Sequence, residues 1–297
     1  MSDGKRVSVV IASYNMAKYL SLALRSVLDQ TRMPDEIHVV DDGSTDDTAG
    51  VMASFAGHDR VVYHRQENGG QARAKNRGIR ASSGDYVAFL DADDLWMPRK
   101  LELQLPAFDG HPEVGVVYTN FARIDAEGSM LGSPEGRFYS GRISGRLLIE
   151  NFVTGMASIV RRECFERVGL FDETLAMGID YDLWLRISPH YDFKFLDEVT
   201  YSYRQWPGQM SHNYRKRMQC AIFIMERFLK EHPGLVEART VREAWAHTFV
   251  SRGACAVSFD RDRRGALRDY LRALRFRPSY IPAWKAIAKL ALGSAGD

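Results

Sequence analysis

The chain of 297 residues reads as an α/β protein: a mostly parallel sheet flanked by helices, with a helical C-terminal appendage. Three observations carry this reading. Short apolar runs alternate with helical patterns over the first hundred residues, as strands joined by crossover helices do. Polar clusters stand at the ends of three of those runs, where an open parallel sheet holds its ligands. The remainder from about Tyr214 is helical in pattern and carries a charge of its own.

Taken in order, Val7-Ser8-Val9-Val10-Ile11 is the first strand, and Ala17 to Leu28 a helix. Tyr19, Leu20, Ala23, Leu24, Val27 and Leu28 fall on one face of that helix. Ile37-His38-Val39-Val40 is the second strand, followed by a helix from about Asp46 with Ser44 or Asp46 as its cap. Val61-Val62-Tyr63 is the third strand, a helix starts near Gln71, and Tyr86 to Leu90 is the fourth strand. Pro34 and Pro98 sit at boundaries, where proline does no damage. Beyond Pro98 the alternation weakens. Val114 to Tyr118 is a strand, the Gly- and Ser-rich stretch from Gly128 to Gly145 reads as hairpins or a mobile loop, and Ala157 to Val160 is extended. Asp182 to Ile187 is helical, with Trp184 in its apolar face, and Lys194 to Tyr203 reads as a strand pair. The helices after Tyr214 are broken at Pro233, Pro278 and Pro282. Ala254 to Pro278 has the look of one helical-repeat unit, and a single copy makes no array.

Composition is that of an ordinary globular protein, 45% hydrophobic and 26% charged, with a formal net charge of +2. That total hides an asymmetry. Residues 1–212 hold 23 basic and 30 acidic residues, whereas residues 213–297 hold 17 and 8. The division suggests one domain over 1–212 and a basic helical region over 213–297. Cys164, Cys220 and Cys255 show no paired spacing, so buried thiols are expected rather than a disulfide framework or a zinc site. No run approaches the ~20 apolar residues of a membrane span, and no secretory leader is recognisable, so a cytoplasmic location is expected.

The chemistry gathers at Leu90-Asp91-Ala92-Asp93-Asp94. Three carboxylates at the end of a buried strand repel one another unless a cation joins them, and a hard divalent ion with oxygen ligands suits the set. Two other strand ends are equally polar: Ala12-Ser13-Tyr14-Asn15 and Asp41-Asp42-Gly43-Ser44-Thr45-Asp46. An aspartate such as Asp41 taken alone is more often a turn or cap residue. Three decorated ends together indicate one ligand crevice.

Val9 to Asn15, Val39 to Asp46, Asn68-Gly69-Gly70 with Lys75-Asn76-Arg77-Gly78-Ile79, and Asp91-Ala92-Asp93-Asp94 with Trp96 and Pro98 occur in this order. Together they resemble the family 2 inverting glycosyltransferases, whose nucleotide-sugar-binding fold is called the A-type. The resemblance implies a donor site formed by Ala12, Tyr14, Asp41, Asp42, Lys75, Asp91 and Ala92. Asp42 would meet the nucleobase, where a carboxylate suits the N3–H donor of uracil or thymine, and Tyr14 would pack on the base, with a core tyrosine as the plain alternative. Asp91 would lie near the ribose and sugar, and Asp93 would ligate Mg²⁺ or Mn²⁺ on the donor diphosphate. Asp94 would support the cluster or cap the next helix. Arg73 and Lys75 follow the Asn68-Gly69-Gly70 turn, either toward phosphate or on a solvated helix face.

Inverting transfer also needs a base for the acceptor hydroxyl. Met177 to Arg186 resembles the family's acidic segment before a helix and puts Asp180 at the base position. Ile179 replaces a common Glu there, and Asp182 would orient neighbours or cap the helix; Asp180 as a helix N-cap is the plain alternative. Tyr203 to Ser211 resembles a segment that closes over the donor phosphates. Trp206 stands where many relatives carry His, leaving Arg204 or His212 to substitute. Trp96 fits a sugar pocket or a staple under the loop.

The resemblance implies a nucleotide-sugar donor and a saccharide or lipid-linked acceptor, in cell-surface polysaccharide or glycolipid synthesis. The motif and membrane helices of processive polymer synthases are absent, which favours one sugar per encounter. The basic C-terminal region suits peripheral contact with an anionic membrane, or else a helical cap with a solvated face. Nucleic-acid binding is not expected, because residues 1–212 are acidic and carry no recognition motif. Two alternatives stay open: a non-catalytic nucleotide-sugar-binding protein, and a sugar-1-phosphate nucleotidyltransferase. The second lacks its Gly-rich basic loop after the first strand.

Overall fold

A computed structural model describes residues 5–134, 136–209 and 213–292. Its parallel strands are β1 (Val7–Ser13), β2 (Glu36–Asp41), β3 (Val61–Arg65) and β4 (Tyr86–Asp91), side by side in the order β3-β2-β1-β4. β1, β2 and β4 hold near-continuous apolar runs, as strands covered on both faces must, whereas β3 at the edge is only half-buried. Val9, Val10, Ile11, Val39, Val40, Val87 and Leu90 are fully buried. The crossovers are α1 (Ala17–Leu28), α2 (Thr48–Ala53) and α3 (Gln71–Ala81). α1 buries Tyr19, Leu20, Ala23, Leu24 and Val27 of the stripe its spacing predicts, and leaves Leu28, its last residue, half-buried. α3 lies so close to β1 that a Cβ on Gly78 would fall 2.4 Å from Val10 Cγ1. A glycine permits that approach and so helps to set the height of α3 over the sheet.

The helix expected from about Asp46 begins at Thr48 instead. Asp46 Oδ1 accepts from the Thr48 amide (3.1 Å) and hydroxyl (2.6 Å), so the aspartate anchors the helix from outside it. Ser44 is no cap either; its hydroxyl accepts the Asn15 amide at 2.9 Å. Parallel register then brings the strand ends to one edge. Ala12 pairs with Val40 and with Asp91, and Ser13 with Asp41.

Glu36 ties the opposite end of the sheet. Its carboxylate accepts from Ser8 Oγ (2.6 Å) and the Ser83 amide (2.5 Å), and lies 3.2 Å from His38 Nε2. Burial opposes the charge, but hydrogen bonds from Ser8, Ser83 and His38 outweigh it and hold the carboxyl down to about 2 from its usual 4.5. An acid depressed in this way stabilises the fold above its unfolded pKa and loses that contribution as pH falls through its folded value. Glu36→Gln is expected to cost ~2 kcal/mol near neutrality and clearly less near pH 3. Urea titrations at both pH values check this, and an equal cost at both would exclude the charge as the cause.

Past β4 the sheet becomes mixed. It continues through β5 (Leu95–Trp96), β6 (Val114–Ile124), β7 (Met130–Gly132), β8 (Ser158–Arg161) and β9 (Asp192–Arg204). β8 runs antiparallel between β4 and β6, β9 runs parallel to β6, and β5 pairs antiparallel with β9. The strand pair expected over Lys194 to Tyr203 is one strand of 13 residues. Leu196 pairs with Thr119 and Val199 with Asn120, so Asp197 and Glu198 bulge out to solvent while the strand carries on. The Gly- and Ser-rich stretch holds one hairpin, β6 to β7, whose turn is fastened by Asp125 Oδ1 accepting the Glu127 and Ser129 amides.

Within this stretch of the chain the described residues form the helices α4 (Lys100–Gln104), α5 (Ser144–Ile149), α6 (Arg162–Val168) and α7 (Ile179–Ile187). α7 starts three residues earlier than expected, because Gly178 at φ 72° takes the left-handed turn that opens it. Trp184 is buried and donates from Nε1 to Val153 O at 3.0 Å. Trp96 is likewise buried. Of the three thiols only Cys164 is buried; Cys220 and Cys255 are half-buried, contrary to expectation, because their helices are partly solvated.

The chain gathers into two compact units. One holds Met1–Ile143 with Phe152–Gln209, and the other Ser144–Asn151 with Met210–Asp297. The second unit therefore includes α5 as well as α8 (Tyr214–Glu231), α9 (Ala238–Asp260), α10 (Arg263–Phe276) and α11 (Ile281–Ala291). Ala246, Phe249, Ala273 and Ala283 form a core among these helices, with Trp245 and Phe276 against it. Pro282 does not break a helix; it stands in the first turn of α11, where its missing N–H is no loss.

Candidate active site

The edge that collects the ends of β1, β2 and β4 is the candidate site. After β2, Asp41 Oδ1 accepts the Ser44 amide (2.7 Å) and Oδ2 the Tyr63 hydroxyl (2.7 Å), so this buried carboxylate shapes the turn. Asp42 is also buried. Its Oδ1 accepts from Gln66 Nε2 (2.7 Å) and the Gly69 amide (2.9 Å), and its Oδ2 from the Gly70 amide (2.7 Å). Asp42 thereby folds the Asn68-Gly69-Gly70 turn and starts α3, with one lone pair left on Oδ2. Tyr14 is 46% exposed at the end of β1. Ala12 is half-buried in the same edge, whereas Ala92 is buried.

α3 delivers Lys75 under this edge. Lys75 is only 2% exposed, and its Nζ lies 3.0 Å from Asp91 Oδ1 and 4.0 Å from Met156 Sδ. It faces the protein, whereas Arg73 is the exposed cation of the pair. Gln71 Nε2 adds a hydrogen bond to the same Asp91 oxygen at 3.2 Å. The charge of Lys75 also reaches Asp180. Burial raises the Asp180 carboxyl above its usual range, the Tyr181 amide and Lys75 pull it back, and Asp91 pushes it up again. Asp180 is the second residue of α7, and Gly178 occupies the N-cap position, so the N-cap alternative does not hold. Its Oδ1 accepts the Tyr181 amide at 2.8 Å, and Gly155 leaves space beside it: a Cβ there would lie 3.7 Å from Oδ2. Asp182 pairs with Arg186 at 2.9 Å and orients α7.

Asp93 and Asp94 part company. Burial and repulsion from Asp91 raise the Asp93 carboxyl, while hydrogen bonds from Trp206 and Gln209 offset this. Trp206 Nε1 donates to Asp93 Oδ2 at 2.8 Å, which leaves the other oxygen clear of the indole. Asp94 is fully buried and structural: the Tyr201 hydroxyl donates to its Oδ2 and the Arg204 amide to its Oδ1. Arg204 is not available as a phosphate contact. It is 1% exposed, and it donates to the carbonyls of Asp93 (2.7 Å), Asp125 (3.1 Å) and Ala126 (3.0 Å). His212, the other residue expected to stand in for the family's histidine, lies outside the described residues.

The edge thus brings together Tyr14, Asp42, Lys75, Asp91, Asp93 and Asp180, and adds Gln71, Met156 and Trp206, whose contacts sequence reasoning missed. Gln71 directly follows the Gly69-Gly70 turn that opens the helix carrying Lys75, which was a usable signal. Nothing in the sequence marks Met156. No cluster of three or more His, Cys, Asp or Glu side chains suited to a metal occurs among the described residues.

The profile of the family described as "Glycosyl transferase family 2" matches residues 8–169. This chain belongs to glycosyl transferase family 2. An uncharacterized family relative from Rickettsia typhi, named as a glycosyltransferase, is 33% identical over 233 residues, covering 76% of this chain and 72% of its own. A chondroitin synthase from Escherichia coli is 31% identical over 199 residues, 66% of this chain but only 28% of the synthase. The chain likewise spans 26% of a Rickettsia bellii glycosyltransferase to which it is 36% identical. Among solved structures, residues 1–349 of S. aureus TarS superpose with a TM-score of 0.67 at 20% identity, over 96% of this chain and 87% of that one. The mannosyltransferase PcManGT of Pyrobaculum calidifontis, solved with GDP-Man and Mn²⁺, gives 0.67 at 21% identity over 99% and 81%. TarS has been solved with UDP and with UDP-GlcNAc. These structural likenesses establish the A-type fold for the family 2 chain. Asp180 lies beyond the matched span.

Proposed function

We propose that this family 2 enzyme transfers one sugar per encounter, with inversion, from a nucleoside-diphosphate sugar to a hydroxyl of a saccharide or lipid-linked acceptor. The observation that carries the reading is Lys75: one buried ammonium 3.0 Å from Asp91 and 4.0 Å from Sδ of Met156, the neighbour in sequence of the Gly155 that abuts Asp180. This arrangement supports one crevice shared by a donor-side and an acceptor-side carboxylate. Asp180 takes the proton of the acceptor hydroxyl as its oxygen bonds to the anomeric carbon, and the bond from that carbon to the diphosphate breaks on the opposite side. The raised Asp180 carboxyl is a stronger base than an exposed aspartate.

Asp91 and Asp93 fit Mg²⁺ or Mn²⁺. Both offer hard oxygen donors, burial and their mutual repulsion raise Asp93, and among the described residues too few side chains gather there for an all-protein cage. Such a cation draws its remaining ligands from substrate phosphate and water. When bound, it neutralises charge on the departing diphosphate. The free lone pair of Asp42 and the exposed Tyr14 ring favour a uridine or thymidine base. The work of such a site is polysaccharide or glycolipid synthesis inside the cell.

Incubating the chain with UDP- and dTDP-hexoses, with and without Mn²⁺, and following nucleotide release over a panel of acceptors tests this. Metal-dependent release that rises with an acceptor is expected. Tight donor binding with no release on any acceptor would instead support a binding protein, and consumption of pyrophosphate a nucleotidyltransferase.

A further inference from the structure

The basic helical unit has no part in that chemistry, yet one face of it is unusual. Arg264, Leu267, Arg268, Leu271, Arg272 and Arg275 of α10 follow helical spacing along one side, and all six are exposed. Leu267 is 39% exposed and Leu271 50%. The other side of α10 buries Ala266, Tyr270 and Ala273, so the packing of the helix does not call on these leucines. Both carboxylates of the segment are engaged elsewhere. Asp262 accepts the Gly265 amide at 2.8 Å, and Asp269 is buried against Arg252 at 2.7 Å. Arg272 lies 5.8 Å over the Phe249 ring, and among the described residues Arg264, Arg268 and Arg275 have no ion-pair partner.

We infer that this face of α10 rests on the surface of an anionic bilayer. Guanidinium groups bind lipid phosphates, and leucines between them reach the acyl boundary, so both halves of the pattern are used. A nucleic acid would take the arginines but gain nothing from the leucines. The face carries no acidic group to fix a register, and a surface of laterally mobile anions demands none. The surrounding region is itself cationic, with 17 basic against 8 acidic residues over 213–297. No described helix is long and apolar enough to cross a membrane, so the contact is with one leaflet.

The full chain should co-sediment with phosphatidylglycerol–phosphatidylcholine vesicles in moderate salt, and not with pure phosphatidylcholine. Replacing three cations together, Arg264→Gln, Arg268→Gln and Arg275→Gln, should weaken partition by roughly a hundredfold, at about fivefold per charge. Leu267→Ser with Leu271→Ser should weaken it by about tenfold without changing its salt dependence. All five side chains are exposed, so thermal melts of the variants should match the native chain. Failure of the native chain to bind anionic vesicles, or unchanged binding by both variants, would overturn the assignment. Tighter binding to duplex DNA or to polyglutamate than to the vesicles would overturn it as well, in favour of that partner class.

Discussion

Asp180→Asn is expected to slow sugar transfer by roughly 10²–10⁴-fold while leaving donor affinity within about a factor of two. Asparagine keeps the shape of the side chain and an oxygen for the Tyr181 amide, now held at 2.8 Å, so α7 should start as before. Only the proton acceptor is lost. Single-turnover transfer and calorimetric donor titration on the same preparation separate the two effects, and retained transfer would remove Asp180 as the base. The native enzyme carries a second signature. Burial, with the added push of Asp91, raises the Asp180 carboxyl above its usual 3.8. A base works when deprotonated, so kcat/KM should fall as pH drops, with a midpoint above the ordinary aspartate range. The Asp180→Asn enzyme should lose that acid limb.

Removing Asp93 acts on the other side of the reaction. Asp93→Ala should abolish the gain in donor affinity produced by Mn²⁺ and lower kcat/KM on the order of 10³-fold. Affinity for the nucleotide without metal should survive, because Tyr14 and Asp42 stand on other strand ends. The fold should survive too. The side-chain partners given up are Trp206 Nε1 and Gln209, both only half-buried, while Asp94 still holds Tyr201 and the Arg204 amide. Titrating UDP with and without Mn²⁺, and following free Mn²⁺ by electron paramagnetic resonance, checks this directly. Donor affinity that ignores Mn²⁺ in the native chain would sink the metal reading. A metal response that persists in the variant would move the ligand role to Asp91.

The parallel half of the fold was legible because two independent patterns agreed there. Val9 to Ile11, Val39 to Val40 and Val87 to Leu90 are apolar runs, and each leads into a polar end. β9 was not legible, since Asp197 and Glu198 look like the end of a strand and only pairing with β6 shows them as a bulge. The carboxylates of the site were readable one by one. Their connection was not: Lys75 and Asp91 lie on different elements, and the close packing of Gly78 on Val10 helps to seat the ammonium against the aspartate. Trp206 read as the loss of a histidine, and its hydrogen bond to Asp93 depends on a chain reversal that no local pattern announces.

α5 bears on how the chain can be cut. Ser144–Asn151 belongs with the residues after Gln209, although the chain on either side of it builds the sheet. Leu147 and Leu148 are fully buried, and a Cβ on Gly145 would lie 3.3 Å from Thr240 and 3.6 Å from Val236. A stop codon after Gln209 would therefore not release a finished catalytic half. It would leave α5 without α9, the helix it packs on, in the middle of the enzyme's own reading frame. In genetic terms the tail is an obligate companion of residues 144–151, and the two must be inherited, exchanged or deleted together.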